Sequence, residues 1–244
     1  MGRVAQIWRH PIKGIGAEPL DRVDAAVDRP LPGDRAFAVL TGSAEDTGAW
    51  QPCRNFMRGC YGPELMAIGA ESGADGITLR HPKRPEITVD PRKDGAELID
   101  WLRPLWPEEQ KAPKALVAAP PEGMADASYA SVAILGLASL DALSEACGMA
   151  LDPRRFRGNV WLSGLEPFEE LDWPGRRLRL GTAELEVVER IDRCRATEAN
   201  PETGERDART LLALRKGWGH LAFGVKARVV TAGQVALDDE AVLI

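Results

Sequence analysis

The sequence predicts a mixed α/β fold in which β-strands dominate. Short apolar runs alternate with polar residues at a period of two, and clusters of Gly, Pro, Asp and Ser separate them. Longer segments with helical spacing are few. With 244 residues and 44% apolar side chains, the chain can bury one large core or two small ones. One or two domains are therefore expected.

The first 90 or so residues are predicted to be mostly strand. Residues 4–8 (VAQIW) alternate apolar and polar side chains and stop before Pro11, and residues 35–40 have the same character. Further strands are predicted at residues 65–68, 76–79 and 86–89. Short strands with frequent turn signals are typical of a barrel or a sandwich. Residues 42–61 lack regular patterning and are predicted to form a long loop.

The first helix is predicted over residues 96–105, where Leu98, Ile99 and Leu102 share one face and Pro107 closes the segment. The Pro-rich stretch at residues 112–121 follows and predicts a domain boundary.

The second half of the chain alternates between strands and helices. Residues 138–147 predict a helix with Ser139 as its N-cap and Gly148 as its C-terminal stop, and another helix is predicted over residues 207–216, ended by Gly217. The predicted strands are residues 160–162, 178–180, 185–188, 222–231 and 240–244. This order favours a β-dominated architecture.

Composition excludes several classes of function. Lys and Arg number 31 against 37 Asp and Glu, for a net charge of −6, so broad affinity for nucleic acid or an anionic membrane is not expected. No apolar run is long enough to span a bilayer, and the N-terminus places charges and Pro where a secretory signal would be apolar. The four cysteines show no CxxC spacing, which predicts free thiols in a reducing cytoplasm.

Cys194 is the first candidate for chemistry, because Arg193 and Arg195 flank it and Arg190 precedes it. Nearby cations lower the pKa of a thiol and favour the thiolate, which is the nucleophile and the metal ligand. On a strand the flanking arginines would point away from the sulfur, so this effect requires a turn or loop. The alternative is an ordinary half-buried structural cysteine.

Other polar segments are candidates for binding. Residues 152–159 contain three arginines that could clamp an anion, with Asn159 reading a polar edge; the alternative is a solvated charged turn. Lys13 and Arg35 place cations at the ends of predicted strands, where binding groups collect. Ser128 offers a hydroxyl in a turn-like stretch, and its alternative is an Asx-turn without a ligand.

The remaining motifs carry less information. His10, His81 and His220 have no ligand spacing and are predicted to be structural or surface groups. GxGxxG, Walker and GxSxG sequences are absent. The acidic run at residues 166–172 is predicted to be a solvated turn, although two carboxylates there could act as acid and base.

These segments occur in an order that resembles MOSC-domain proteins with an N-terminal MOSC β-barrel domain, the group that includes the mitochondrial amidoxime-reducing components and their bacterial relatives. The resemblance covers nearly the whole chain. It implies an N-terminal β-barrel-like domain over residues 1–112 and a MOSC β-barrel domain with a few helices over residues 113–244. The matching segments are PIKG (11–14), GDR (33–35), RFRGN (155–159), EELDW (169–173), RC (193–194), TEANPETG (197–204), FGV (223–225) and Gly233.

The resemblance implies a molybdenum cofactor (Mo-molybdopterin) bound between the two domains, with Cys194 as the metal ligand. Molybdenum in high oxidation states favours thiolate and dithiolene sulfur, and a metal-bound thiol is deprotonated. Cations gathered around the phosphorylated pterin would explain how an acidic protein holds an anionic ligand. The family's cofactor contacts would fall on Lys13, Gly14, Arg35, Ser128, Arg157, Asn159 and Arg193.

The activity that the resemblance implies is reduction of N-hydroxylated or N-oxide-type small molecules, with electrons from a separate donor protein. Asp126 and metal-bound solvent are candidates for the proton donor. Sulfur transfer through a persulfide on Cys194, and storage and delivery of the cofactor, are the alternatives. The sequence departs from the family at Gly14, where relatives often have Ser, at Ala127, which can be Thr, and at Lys226, which is aromatic in the mitochondrial relatives.

Overall fold

The computed structural model describes residues 2–244. Strands dominate this part of the chain, in agreement with the predicted fold class. The strands are β1 (Gly2–Arg9), β2 (Glu18–Leu20), β3 (Arg22–Ala25), β4 (Phe37–Thr41), β5 (Gly69–Gly73), β6 (Gly76–His81), β7 (Arg84–Val89), β8 (Pro113–Ala118), β9 (Val132–Gly136), β10 (Val160–Ser163), β11 (Arg177–Leu180), β12 (Ala183–Asp192), β13 (Ala222–Thr231), β14 (Gly233–Ala236) and β15 (Glu240–Leu243). The α-helices are α1 (Gly95–Leu102), α2 (Leu137–Cys147) and α3 (Thr210–Trp218).

A closed seven-stranded barrel is the largest unit of the fold. Its strand order is β10-β9-β13-β12-β11-β15-β1, and the pairing of β1 with β10 closes the ring. Strand β2 pairs with β1 in antiparallel orientation and is not part of the ring. The barrel therefore takes its first strand from the start of the chain and the other six from beyond the predicted boundary at residues 112/113. The boundary itself stays a prediction.

Two small sheets occupy the N-terminal part of the chain. Strand β4 pairs with β8, and β5, β6 and β7 form an antiparallel meander. Their apolar side chains pack with helix α1 in a core of their own, which includes Leu79 and Leu98. A larger core fills the barrel and contains Trp161 and the stacked rings of Phe156 and Phe223, whose centroids lie 4.2 Å apart.

One prediction of local structure in the N-terminal part was wrong. Residues 65–68 are not a strand, because a 3-10 helix spans Pro63–Ala67 and buries the apolar residues of this run against the core. A proline at the first position of a helix favours this outcome. The Pro-rich stretch at residues 112–121, which was predicted as a domain boundary, contains β8, which pairs with β4.

Helix ends also differ from the predictions. Ser139 does not cap α2, which begins at Leu137; its hydroxyl instead donates to the buried carboxylate of Glu170 at 2.9 Å. Gly148 ends α2 in a left-handed conformation, as predicted. Helix α3 begins at Thr210, three residues later than predicted. The left-handed residue that follows its end is Gly219. No helix within residues 2–244 combines the length and the apolar character needed to cross a bilayer.

Candidate functional site

A cleft lies between the N-terminal segments and the barrel. It contains about 940 Å³ of free space, with the solvent at its open mouth included, a size that suits a small-molecule ligand. Ser128 is the one family contact that does not line the cleft; it is exposed elsewhere on the surface, and Ser131 lines the wall instead. The family contacts that do line it are Lys13, Gly14, Arg35, Arg157, Asn159, Arg193 and Cys194.

Arg35 and Arg157 enter the cleft from strained backbone. Their φ angles are 49° and 48°, in the left-handed region that residues with a Cβ rarely adopt. The N–H of Arg35 donates to the carbonyl oxygen of His10 at 2.6 Å, and its guanidinium donates to the carbonyl oxygen of Arg157 at 3.0 Å. Strain of this kind collects at functional sites, where the surrounding structure holds it in place.

Arg157 and Arg193 bring positive charge without a matching carboxylate. The guanidinium of Arg157 donates to the carbonyl oxygens of Gly16 at 3.0 Å and Ile12 at 3.3 Å, and the Nε of Arg193 donates to the carbonyl oxygen of Phe223 at 2.7 Å. Within residues 2–244 neither arginine forms a salt bridge. Burial lowers the pKa of each to about 9, so both stay charged at neutral pH. Two such guanidinium groups attract an anion.

The charges of the other predicted cations are largely matched. The ammonium of Lys13 donates to the carboxylate of Asp126 and, at 2.7 Å, to the carbonyl oxygen of Met124. Burial lowers the pKa of Lys13, and the Asp126 carboxylate opposes this effect. Arg35 pairs with the carboxylate of Asp34. These two cations therefore add less net charge to the cleft than Arg157 and Arg193 do.

Asn159 is buried in the wall of the cleft, and its amide is engaged by backbone groups. Its Oδ1 accepts from the N–H of Ala133 at 3.0 Å, and its Nδ2 donates to the carbonyl oxygen of Trp8 at 3.1 Å. These bonds tie strand β9 to strand β1 beside the cleft. A role for Asn159 in reading a ligand's edge stays a prediction.

The three arginines of residues 152–159 do not form one clamp. Arg154 pairs with Asp152 at 2.6 Å, and the buried Arg155 pairs with Asp207 at 2.7 Å. Arg157 alone of the three has its charge free for a ligand. The prediction of a three-arginine clamp was therefore wrong, because two of the guanidinium groups bind carboxylates of the protein itself.

Cys194 lies in the loop between β12 and a 3-10 helix at residues 195–198, and its side chain is exposed. Arg195 turns away to the carboxylate of Glu198 at 3.0 Å, and Arg190 donates to the carbonyl oxygen of Leu171 at 2.6 Å. The loop that the electrostatic argument requires is present. Of the neighbouring arginines, however, only Arg193 lines the cleft.

The strongest influence on Cys194 comes from a residue that the sequence analysis left without a role. The neighbouring thiol of Cys60 is the largest cause of the shift, and the pKa of Cys194 is lowered to about 6. Burial opposes the shift, while the N–H of Ala196 and the charge of Arg193 support it. The same interaction raises the pKa of Cys60. Cys194 is therefore mostly thiolate at pH 7.

Arg58 also lines the cleft and was missed by the sequence analysis. Its Nη1 donates to the Sγ of Cys53 at 2.9 Å, and its Nε is buried without a hydrogen-bond partner. Both Arg58 and Cys60 fall in the stretch predicted as a featureless loop. The spacing Arg-Gly-Cys at residues 58–60 was the available signal, because it places a cation beside a thiol by the same logic that singled out Cys194.

Alkylation of Cys194 by iodoacetamide is expected to follow a pH profile with its midpoint near 6, since the thiolate reacts and the thiol does not. Cys60→Ala removes the neighbouring thiol that lowers this pKa, so the midpoint should move up toward the ordinary cysteine value of about 8.5. Mass spectrometry of the Cys194 peptide measures both profiles. A wild-type midpoint already near the ordinary value would contradict the effect assigned to Cys60.

Gly14→Ala is expected to lower the free energy of unfolding by about 2 kcal/mol. Gly14 has a φ of 74°, and a Cβ there would lie 2.7 Å from the carbonyl oxygen of Met57. Gly48→Ala is the matched control, because Gly48 has a φ of 65° with nothing within 4 Å. Urea unfolding of the two variants separates the backbone cost from the clash. Equal losses of unfolding free energy would show that the close approach of the new Cβ to the carbonyl oxygen of Met57 does not affect stability.

Residues 124–242 match the MOSC domain family. The molybdenum cofactor sulfurases of Caenorhabditis briggsae and Caenorhabditis elegans are each 38% identical over 76 residues, which is 30% of this chain and 10% of theirs. This chain therefore aligns with about a tenth of the length of those relatives.

Two bacterial proteins of known structure have a low overall similarity to this chain. The crystal structure of YuaD from Bacillus subtilis has a TM-score of 0.47 and 14% identity, covering 99% of this chain and 94% of that one. The crystal structure of YiiM from Escherichia coli has a TM-score of 0.35 and 18% identity, covering 46% of this chain and 53% of that one.

Proposed function

Because residues 124–242 of this chain are a MOSC domain, we propose that the protein binds the molybdenum cofactor in its cleft and reduces N-hydroxylated or N-oxide-type small molecules. Cys194 is the metal ligand in this proposal, and a separate protein supplies the electrons. The observation that supports it best is one cleft holding an exposed thiol of low pKa together with two arginines that lack carboxylate partners.

The residues of the cleft fit this cofactor. A thiolate is a suitable ligand for molybdenum, and the cofactor's phosphate needs the positive charge that Arg157 and Arg193 carry without a counterion. The buried, unpartnered Nε of Arg58 is a further donor at the same cleft. Arg35, which donates a hydrogen bond to the carbonyl oxygen of Arg157, would hold Arg157 in place for that phosphate. When bound, the cofactor supplies the redox chemistry that removes oxygen from the substrate.

The side chains of the protein orient the ligand and handle protons. Partial desolvation works against ionisation of Asp126, but the ammonium of Lys13 outweighs it, and the pKa of Asp126 lies below its ordinary value. The side chain of Asp126 is 63% exposed. Asp126 is thus a carboxylate at neutral pH, which disfavours it as the resting proton donor. The ammonium of Lys13, hydrogen-bonded to Asp126, holds a proton at this place in the cleft.

Reduction of benzamidoxime to benzamidine tests the proposal. The protein is purified from a host that makes the cofactor and is given reduced methyl viologen as the electron donor. The expected result is benzamidine formation that depends on the protein and on bound molybdenum. Protein that carries molybdenum but reduces neither benzamidoxime nor an aromatic N-oxide would overturn the reductase part and leave the cofactor-carrier alternative.

Sulfur transfer is the second candidate function. It is favoured by the low pKa of Cys194 and by the local likeness to the molybdenum cofactor sulfurases. In this case Cys194 carries a persulfide, and Arg193 stabilises its negative charge. Incubation with a cysteine desulfurase and cysteine, followed by intact-mass analysis, distinguishes the two. Gain of one sulfur atom on Cys194 would support sulfur transfer, and an unchanged mass would exclude it under those conditions.

A further inference from the structure

The turn at residues 58–60 lines the cleft together with Cys194. Its first carbonyl oxygen accepts two backbone N–H groups from further along the turn, each at 3.0 Å. Its last carbonyl oxygen accepts from the guanidinium of Arg206 at 2.7 Å. Gly59, in the middle of the turn, packs on the loop that follows Cys194, since a Cβ on Gly59 would lie 3.4 Å from that of Ala196. The turn is therefore held in a fixed position in the wall of the cleft.

Most hydrogen-bond donors of this turn have no acceptor in the protein. The N–H groups of Gly59 and Cys60 donate to no other group within residues 2–244. The guanidinium of Arg58 donates only to the sulfur of Cys53, at 2.9 Å, and its Nε is buried without a partner. Sulfur is a weak acceptor, and an arginine side chain has five N–H donors. The turn thus keeps a positive charge and several donors for a ligand with anionic oxygens.

Arg58 is the one cation of the cleft wall that has neither a carboxylate partner in the described part of the chain nor a place in the proposed cofactor site. Arg157 and Arg193 were assigned to the phosphate of the cofactor. Asp192 also lines the cleft, but it is exposed to solvent, where its charge is screened. The other cations that line the cleft form the ion pairs Lys13–Asp126, Arg35–Asp34, Arg155–Asp207 and Lys226–Glu189.

The ring of Tyr61 places the charge of Arg58 at the solvent side of the cleft. The guanidinium carbon of Arg58 lies 4.8 Å from the centroid of this ring, and Tyr61 is 50% exposed. Stacking holds a guanidinium by its flat face and leaves its N–H edge free to bind a carboxylate bidentately. The guanidinium groups of Arg157 and Arg193 instead donate to backbone carbonyl oxygens. Arg58 therefore faces the side from which a substrate enters.

We propose that the turn at residues 58–60 binds a carboxylate of the substrate, with Arg58 as its charged partner and the N–H groups of Gly59 and Cys60 as further donors. This inference rests on the proposed function. It narrows the substrate class to N-hydroxylated or N-oxide-type small molecules that carry a carboxylate. Binding of the cofactor's phosphate by Arg58 is the competing assignment, because a phosphate offers the same kind of oxygen atoms.

The test compares 3- and 4-carboxybenzamidoxime with the corresponding carbamoyl compounds, which have nearly the same shape and no charge. The protein from the cofactor-competent host is given reduced methyl viologen, and kcat/KM is expressed per bound molybdenum. At least one carboxylated compound is expected to exceed its carbamoyl counterpart by about 10- to 100-fold, the effect of one charge-assisted pair. Arg58→Met should bring this ratio to about one, and Arg58→Lys should retain part of it, because lysine keeps the charge but not the planar fork.

Arg54→Met is the matched control, because Arg54 is exposed on the same loop and does not line the cleft. Its ratio should equal that of wild type. A thermal melt verifies the fold of each variant, and Arg58→Lys decides the matter if Arg58→Met does not fold. An unchanged ratio in a folded Arg58 variant would overturn the proposal. If that variant also loses molybdenum, Arg58 belongs to the cofactor's phosphate.

Binding of the reaction products separates this proposal from the proposed function. Isothermal titration of the purified protein with 3- and 4-carboxybenzamidine and with the carbamoylbenzamidines requires no electron donor. Tighter binding of a carboxylated compound by wild type, but not by Arg58→Met, is expected. If this preference is found and no amidoxime is reduced, the reductase proposal fails and the carboxylate site stands. If charged and neutral amidoximes are reduced with equal kcat/KM, the carboxylate site fails and the reductase proposal stands.

Discussion

Cys194→Ser is expected to lower the rate of benzamidoxime reduction by at least ~100-fold while leaving the fold intact. A hydroxyl is a poor substitute for a thiolate as a ligand of molybdenum. The substitution is nearly isosteric, and the side chain is exposed, so the melting temperature should change little. Steady-state turnover with reduced methyl viologen measures the effect, and a circular dichroism melt verifies the fold.

Cys147→Ser serves as the control for this variant. It makes the same chemical change on a half-buried thiol that packs against the barrel core, away from the cleft. Its turnover should equal that of wild type. Wild-type turnover in Cys194→Ser would remove Cys194 from the mechanism.

Arg157→Met is expected to weaken cofactor retention by about 10- to 100-fold without lowering the stability of the cofactor-free protein. The guanidinium lies beside that of Arg35, and no carboxylate pairs with it within residues 2–244. Arg157 binds the carbonyl oxygens of Ile12 and Gly16. The Ile12 oxygen also accepts from the N–H of Ile15, and the Gly16 oxygen lies beside the ring of His10, so each keeps a polar neighbour in the variant. Met preserves the apolar stem, so the substitution removes mainly an uncompensated charge.

Gel filtration at increasing salt followed by molybdenum analysis measures retention, and a thermal melt of the cofactor-free protein measures stability. Arg154→Met is the matched control, because Arg154 lies in the same turn and is paired with Asp152. That variant should retain the cofactor as wild type does. Equal retention by Arg157→Met and wild type at every salt concentration would show that Arg157 does not meet the phosphate.

The sequence was informative wherever one local rule determined the structure. Alternation at a period of two predicted β1, β6 and β13, and the left-handed preference of Gly148 predicted the end of α2. The predictions failed where tertiary contacts decide. Residues 65–68 have a strand-like composition, yet the start at Pro63 and burial on one side produce a 3-10 helix.

The site was predicted in the same uneven way. The cations and the thiol were found because their residue types can be read from the sequence. Which cations remain unpaired depends on distant carboxylates such as Asp207 and Asp126. The presence of Cys60 in the same cleft as Cys194 could not be predicted, because it depends on how a long loop packs against the barrel. Ser128 was predicted from its turn-like stretch and from the resemblance, and the path of its loop leaves it on the surface.

The most direct test of the central claim is the molybdenum and phosphopterin content of the purified protein. The protein is made in a cofactor-competent host supplied with molybdate, and elemental mass spectrometry is combined with fluorescence of the oxidised pterin. The proposal predicts close to one molybdenum and one pterin per chain, both lost from Cys194→Ser. Wild-type protein that carries neither group would contradict the assignment of the cleft as a molybdenum cofactor site.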